Sequence, residues 1–579
     1  MKKSLSNLLK LNFSAIFKGT TESPLIGFFR YCIVGGIAFL IDFGCYLLLT
    51  SIGVHYLISG LIAFILSFLF NFYLSRIFIF QTKCIEQKAI LEIIKVLVVA
   101  IIGLLLTEIL LWICVYFLKL SYSISKIIAS AIVLIWNYLG RRYFVYKQYK
   151  SSYTSQIKIW LKLSLIVVLC VLIGIGLLTV VYCIPTETIN KNLIISADIL
   201  EKEGLYPVLD SNTSSTLDNY TDSLMLHTAG YNITKSPLVE AVLINRLECV
   251  DNISPLNSLL CDIKDTGQPM EIISYSTYWH GYLVFLKPLL TLFSYQQIRF
   301  INTIIQCLLL VVLFSLMIKN KMHLYIAPTL LLFGFQGMAS TFLSLQFSNV
   351  FYIYVVGLIL LLLFYKNWKN TSKILIYFTL LGAITAYLDL LTYPLVTFGV
   401  PVVLLLVLEK KLNLFSQIRT VISSGFAWLL GFAGMWIGKG AIGSLITGNN
   451  IFAEMFSSVK FRTTGSAGNK TVSFYSAIGS NILGFFRSNF LIFAVLFCLL
   501  FFFLILFQYI KTKQANHILK NLGFILICIA PVCWYIVLKQ HSYIHYWFTC
   551  RELLISLFSI TTMLVKIYIE GKQIKKEIS

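Results

Sequence analysis

Fourteen apolar runs of about 20 residues divide this chain of 579 residues, and each is long enough to cross a bilayer as an α-helix. In hydrocarbon every backbone N–H and C=O must find a partner within the protein, which leaves helices as the element for runs of this length. The expected fold class is an all-α polytopic membrane protein with about 14 transmembrane helices, four followed by ten. The first four runs fall near 28–50, 57–77, 95–118 and 124–141. The next ten fall near 163–183, 298–318, 324–342, 348–365, 374–390, 392–408, 420–439, 489–508, 521–538 and 551–568. Hydrophobic residues make up 58% of the chain and charged ones 12%, far from the balance of a soluble domain.

A net charge of +22 could point to nucleic acid, but the basic residues sit in short clusters between the apolar runs. Lys2, Lys3 and Lys10 put the amino terminus inside, and the later clusters, such as Lys319 with Lys321 and Lys511 with Lys513, then also fall inside. The charge reads as topology and contact with membrane lipid headgroups, with both termini cytoplasmic and no nucleic acid partner. No short apolar core with a cleavage site follows the basic amino terminus, so no cleaved signal peptide is expected. Two large loops, 184–297 and 440–488, lie outside. The first carries 13 of the 24 acidic residues, from Glu187 to Glu271, against five lysines and arginines over the same stretch, and is expected to be a folded extracytoplasmic element. Residues from Tyr278 to Leu292 read as a helix at the outer interface. Cys249 and Cys261 lie in this loop, 12 residues apart, where a disulfide and two free thiols are both open readings.

The first 150 residues contain a duplication. Asn71-Phe-Tyr-Leu-Ser-Arg76 is followed 66 positions later by Asn137-Tyr-Leu-Gly-Arg-Arg142, each with an aromatic run after it, and the same offset sets Asp42 on Glu108. Ionisable groups inside apolar segments are costly, so a functional role is the default reading. Gly35, Gly36 and Gly103 would let the spans approach closely. Arg76 and Arg142, at the inner ends of their spans, suit a lipid monophosphate headgroup. The plainer alternative is that the arginines are only inside anchors. Through Arg30-Tyr-Cys-Ile-Val-Gly-Gly with Asp42, Asn71 to Arg76, and Asn137 to Phe144, residues 25–150 resemble the GtrA-like family of four-span proteins. That resemblance implies handling of a polyprenyl-phosphate sugar.

The ten later spans carry four polar patches at their outer ends. These are Asp218 with Asp222; Tyr278-Trp279-His280-Gly-Tyr282; Tyr387-Leu-Asp389-Leu-Leu-Thr392-Tyr393-Pro394; and Lys539-Gln-His541 through His545 to Arg551-Glu552. Asp218 and Asp222, four apart, would share one helix face, although a loop acid more often caps a helix or solvates a turn. His541 and His545 have the spacing of a metal pair, but no third ligand is visible, so no metal is assigned and a divalent cation stays open. Asp389 ends an apolar helix and Arg551 sits in an apolar stretch, so each needs a partner. Through the segments at Tyr387 and at His541 to Arg551, residues 155–579 resemble the GT-C membrane glycosyltransferases that decorate bacterial surface polysaccharides. The resemblance implies an inverting transfer from a polyprenyl-monophosphate sugar. A loop carboxylate, Asp222 with Asp218 as competitor, would act as base. Arg551, Lys539, His541 and His545 would hold the phosphate, and Asp389, His280, Trp279 and Tyr278 would shape the acceptor side. In this family the loop acid often follows the first span closely, whereas Asp218 and Asp222 lie some way beyond it.

The expected organisation is an N-terminal segment 1–24, a duplicated membrane domain 25–150, a basic linker 151–162 and a glycosyltransferase domain 163–579. The expected function is hexose transfer from a polyprenyl-phosphate donor to an extracytoplasmic glycan acceptor at the bacterial plasma membrane. The first domain would supply or flip the donor. The alternative is a flippase or lipid-binding transporter without transfer chemistry. The sequence does not distinguish oligomeric states.

Overall fold

The computed structural model describes residues 24–51, 66–75, 89–112, 122–145, 152–210, 213–250, 254–369, 371–409, 413–464, 466–467, 470–512 and 516–578. The chain divides into two compact units, Met1–Lys158 and Ile159–Ser579. Almost every described element is a helix, as expected for an all-α polytopic membrane protein.

In the first unit the helices Pro24–Ser51, Ala89–Trp112 and Tyr122–Gly140 are joined by helical residues at 66–74, and Tyr122–Gly140 runs on into a π-helical turn, Arg141–Val145. Both copies of the repeat build one small core: Tyr31, Val34 and Phe72 meet Val96, Val99, Tyr138 and Val145. The close approach expected of the glycines occurs at Gly103, where a Cβ would lie 2.9 Å from Asn137 Oδ1. Gly35 and Gly36 have no described neighbour within 4 Å, so they do not serve that role among the described residues.

Among the described residues of the second unit seven helices are long and apolar enough to cross a membrane: Ile159–Tyr182, Tyr295–Lys319, Leu345–Trp368, Leu414–Thr447, Leu491–Ile510, Ile518–Val537 and Tyr546–Ile574. Two shorter apolar helices, Lys373–Leu388 and Val396–Leu408, belong to the same core. The run expected near 324–342 forms two helices, Ile326–Gln336 and Met338–Leu343, broken at Gly337. Lys373–Leu388 and Leu414–Thr447 cross backbone against backbone. A Cβ on Gly382 would lie 2.0 Å from Trp428 O, and one on Gly431 would lie 2.0 Å from Thr379 O.

The segment 184–297 is folded, and its Ile189, Leu193, Met225, Leu226, Leu259, Trp279 and Leu283 share one core with Val171, Ile175 and Met435 of the bundle helices. Its helices include Thr186–Glu203, Asn219–Gly230, Pro255–Ile263 and Leu283–Leu292, beside an antiparallel pair, Asn245–Cys249 with Met270–Ser274, in which Leu247 faces Ile272. Of the stretch Tyr278 to Leu292 expected to form an interfacial helix, only Leu283–Leu292 is helical, and it leaves Phe285 and Leu292 largely exposed. The segment 440–488 is mostly helical too: Leu414–Thr447 runs on past residue 439, and Ile451–Thr464 and Phe474–Phe486 follow.

Candidate functional site

Hydrogen bonds between distant segments gather the polar patches of the second unit at one end of its bundle. Asp218 closes the amino end of Asn219–Gly230: its carboxylate accepts from Thr221 N at 3.1 Å and from Thr221 Oγ1 at 2.7 Å. That leaves about two of the four lone-pair positions of a carboxylate without a protein donor. Burial raises its pKa to about 7, with the Thr221 bonds and the Arg551 charge acting the other way. A buried acid near neutrality suits general base chemistry.

Asp222 stands one turn further on and has a different fate. Tyr295 OH donates to Oδ2 at 2.5 Å, Leu345 N at 2.9 Å, and Ser344 Oγ and Gln346 N reach Oδ1 at 3.2 and 3.1 Å. The carboxylate therefore caps the amino end of Leu345–Trp368, with four donors filling its acceptor positions. Arg299 completes the network, donating to Tyr295 OH at 2.7 Å, Asn219 Oδ1 at 3.0 Å and Glu203 at 2.7 Å. The expectation that Asp222 is the preferred base is corrected on this ground, since nothing is left to receive an acceptor proton.

Arg551 is fully buried and ties three segments together. Its Nε donates to Gln336 O at 2.9 Å, and one terminal nitrogen donates to Ser214 O at 2.5 Å and Ser340 Oγ at 2.9 Å. Among the described residues the other terminal nitrogen has no partner. Its guanidinium lies 4.1 Å from the Phe347 ring centroid. One of these bonds holds the loop Thr213–Ser215 to the bundle and the other two tie Arg551 to Gln336 and Ser340, so the expected phosphate grip is reduced to a single nitrogen.

A cavity of about 290 Å³ opens at the same end, walled by Trp428, Phe432, Trp436 and Trp534, with Asp389, Tyr278 and Arg462 as its polar corner. Arg462 was not singled out in the sequence. It donates to His541 Nδ1 at 2.5 Å, and its guanidinium lies 5.5 Å from the Tyr278 ring centroid. Because a guanidinium only donates, Nδ1 of His541 accepts, and Nε2 must carry the proton it gives to Leu391 O at 2.9 Å. His541 is therefore a neutral imidazole with both nitrogens engaged, and burial with the Arg462 charge holds its pKa well below the usual value. It orients Arg462 and has no donor left for a phosphate. His545, 4.9 Å from His541 between ring centroids and stacked on Phe548, is pushed down to about 4 by burial. Neither histidine is a cation at neutral pH, which corrects their expected phosphate role. Lys539 opens the short helix Lys539–Ile544 and is half-buried.

Asp389 accepts from Thr392 N at 3.0 Å and from Thr392 Oγ1, and burial raises its pKa to about 6. The turn it closes holds Leu391 at φ 68°, a left-handed conformation costly for leucine. Of the aromatic patch expected on the acceptor side, Tyr278 lines the cavity. Trp279 is buried as a packing residue, donating to Met435 O at 2.9 Å. His280 is buried as well, with Nδ1 2.9 Å from Tyr282 OH, and does not line the cavity. Among the described residues no group of three His, Cys, Asp or Glu is placed to hold a metal ion. Cys249 and Cys261 are free thiols with sulfurs 3.7 Å apart, both against Gln268 Oε1.

In the first unit Arg141 joins the two copies, donating to Asn71 Oδ1 at 2.6 Å, where the repeat had pointed to its neighbour Arg142. Arg142 is buried and donates to Tyr138 OH at 2.8 Å, and Asn137 packs against Gly103. Arg76 lies outside the described residues. Asp42 and Glu108 fall within the helices Pro24–Ser51 and Ala89–Trp112, and their side chains lie outside the described part.

Residues 30–146 match the family described as GtrA/DPMS, transmembrane domain. This match points to a membrane protein linked to the handling of polyprenyl-phosphate sugars. Neither the curated proteins nor the solved structures contain a match to the chain.

Proposed function

We propose that the protein is a membrane glycosyltransferase of GT-C type that moves a hexose from a polyprenyl-monophosphate donor to an extracytoplasmic glycan of the bacterial cell surface. The observation that carries this reading is the aromatic cavity with Arg462 at its polar corner, at the end of the bundle that also bears Asp218. A polyprenyl phosphate pairs an apolar tail with an anionic head, and such a cavity offers both a wall for the one and a cation for the other. Asp218 takes the proton of an acceptor hydroxyl as its oxygen attacks the anomeric carbon, and the bond to the phosphate oxygen breaks on the opposite face. Arg462, held by His541, stabilises the departing phosphate, with Lys539 as a further cation. Attack opposite the leaving group inverts the anomeric centre. The first unit supplies or flips the donor, a role supported by the match at residues 30–146.

Because that match covers only the first unit, a lipid carrier without transfer chemistry is the rival. Asp218→Asn decides between them: it should abolish transfer, by about 100-fold or more for loss of a general base, while leaving membrane insertion intact. Full surface glycosylation in cells carrying Asp218→Asn would exclude the transferase. A polyprenyl monophosphate found by mass spectrometry with the wild-type protein, and lost in Arg462→Ala, would support the assigned lipid cavity.

A further inference from the structure

Beside Asp218 the chain presents two exposed tyrosine rings, Tyr206 and Tyr220, and a tryptophan, Trp547, whose inner side packs on the core. Tyr206 is 49% exposed and Tyr220 is 36% exposed, with ring planes within 10° of parallel and centroids 6.2 Å apart. Trp547 meets Tyr206 edge-on at 5.5 Å. None of the three lines the cavity. The loop bearing Tyr206 is bolted to the Asp218 segment: Leu217 N donates to Pro207 O at 2.9 Å, Val208 pairs with Thr216, and Asn219 Nδ2 donates to Gly204 O at 2.8 Å. Trp547 is backed by Phe347, the ring on which Arg551 rests. Asp218 stands two residues before Tyr220 and directly after Leu217, whose N–H bonds the carbonyl of Pro207 next to Tyr206.

We infer that Tyr206, Tyr220 and Trp547 form a platform for a pyranose ring of the acceptor glycan. The C–H face of a pyranose packs against an aromatic face, and its rim of hydroxyls then stands toward a carboxylate beside the platform. Aromatic walls with few convergent polar groups are the usual makeup of small-ligand sites. Rigid attachment to the Asp218 segment keeps sugar and base in register. Exposed tyrosine and tryptophan also favour a lipid interface, but such an anchor requires no carboxylate fixed beside it. The inference rests on the transferase reading for the identity of the sugar as acceptor.

Its test uses the full chain in nanodiscs of phosphatidylglycerol and phosphatidylethanolamine, with methyl glucoside, galactoside and rhamnoside as probes in saturation-transfer NMR. At least one pyranoside should show transfer to its ring C–H protons. Tyr206→Leu should lower that signal at least fivefold, and Tyr206→Phe should keep it. In the transfer assay Tyr206→Leu should raise the acceptor KM about tenfold with kcat changed less than twofold. Equal signals in the Leu and Phe variants, or signal only from a poly(glycerol phosphate) control, would overturn the platform. Melting temperatures within 2 °C of wild type verify folding, and the exposed Tyr220→Leu and Tyr220→Phe pair serves as a second test. Loss of the transferase reading through an active Asp218→Asn variant would leave the NMR result standing on its own.

Discussion

Two carboxylates on one turn, Asp218 and Asp222, differ only in what the rest of the chain brings to them. Four donors converge on Asp222, whereas among the described residues only Thr221 donates to Asp218. Since the base works ionised and burial lifts Asp218 to about 7, transfer should rise through neutrality, losing about tenfold per pH unit below 7. A rate flat from pH 5 to 8 with saturating donor would remove Asp218 from the role. Asp222→Asn should act on folding instead. The amide nitrogen replaces one of the two oxygens, so it faces either the Leu345 N–H or the Gln346 N–H and leaves that buried donor unpaired, for about 3 kcal/mol, read as a lowered melting temperature in detergent. The two acids were legible as a pair on one face, but not which was free, because the deciding partners lie at residues 295 and 344 to 346. Arg462 left a fainter trace: Lys460 and Arg462 form a basic pair in a loop read as outside, against the inside bias of the other clusters.

At the scale of elements, the ten apolar runs after residue 159 all became helices, since hydropathy over about 20 residues is a strong signal. What hydropathy averaged over about 20 residues could not mark was the break at Gly337, inside the run near 324–342. There the backbone turns to φ 77°, and a Cβ would stand 2.4 Å from Ser214 O. The break opens the Gln336 carbonyl to Arg551 and admits the loop ahead of Asp218. Gly337→Ala should therefore cut transfer at least tenfold and lower the melting temperature. Gly448→Ala is its control, because Gly448 ends Leu414–Thr447 at φ 70° with open space around it. That change should cost about 1 kcal/mol from the left-handed backbone and leave transfer unchanged. The helix Ile451–Thr464 was also not foreseen, because its mixed polar and apolar residues give no long run. It matters to the site because it carries Ser458, Val459 and Arg462 to the cavity wall.

At the scale of the whole molecule, one chain carries two compact units, the first with the match to a domain linked to polyprenyl-phosphate sugars and the second with the cavity and Asp218. If the first unit delivers donor lipid, fusion raises the local concentration of what the second consumes. The two roles separate by where the donor is offered. In detergent micelles the donor reaches the second unit directly, and Asn71→Ala, which removes the Arg141 partner between the repeats, should leave transfer within twofold of wild type. In sealed vesicles with donor added only to the leaflet facing the basic loops, the same variant should slow transfer about tenfold, because delivery limits the rate. Residues 159–579 alone should follow the variant in both settings. Equal loss in detergent and in vesicles would make the first unit part of the reaction centre, and equal retention in both would remove its role as supplier.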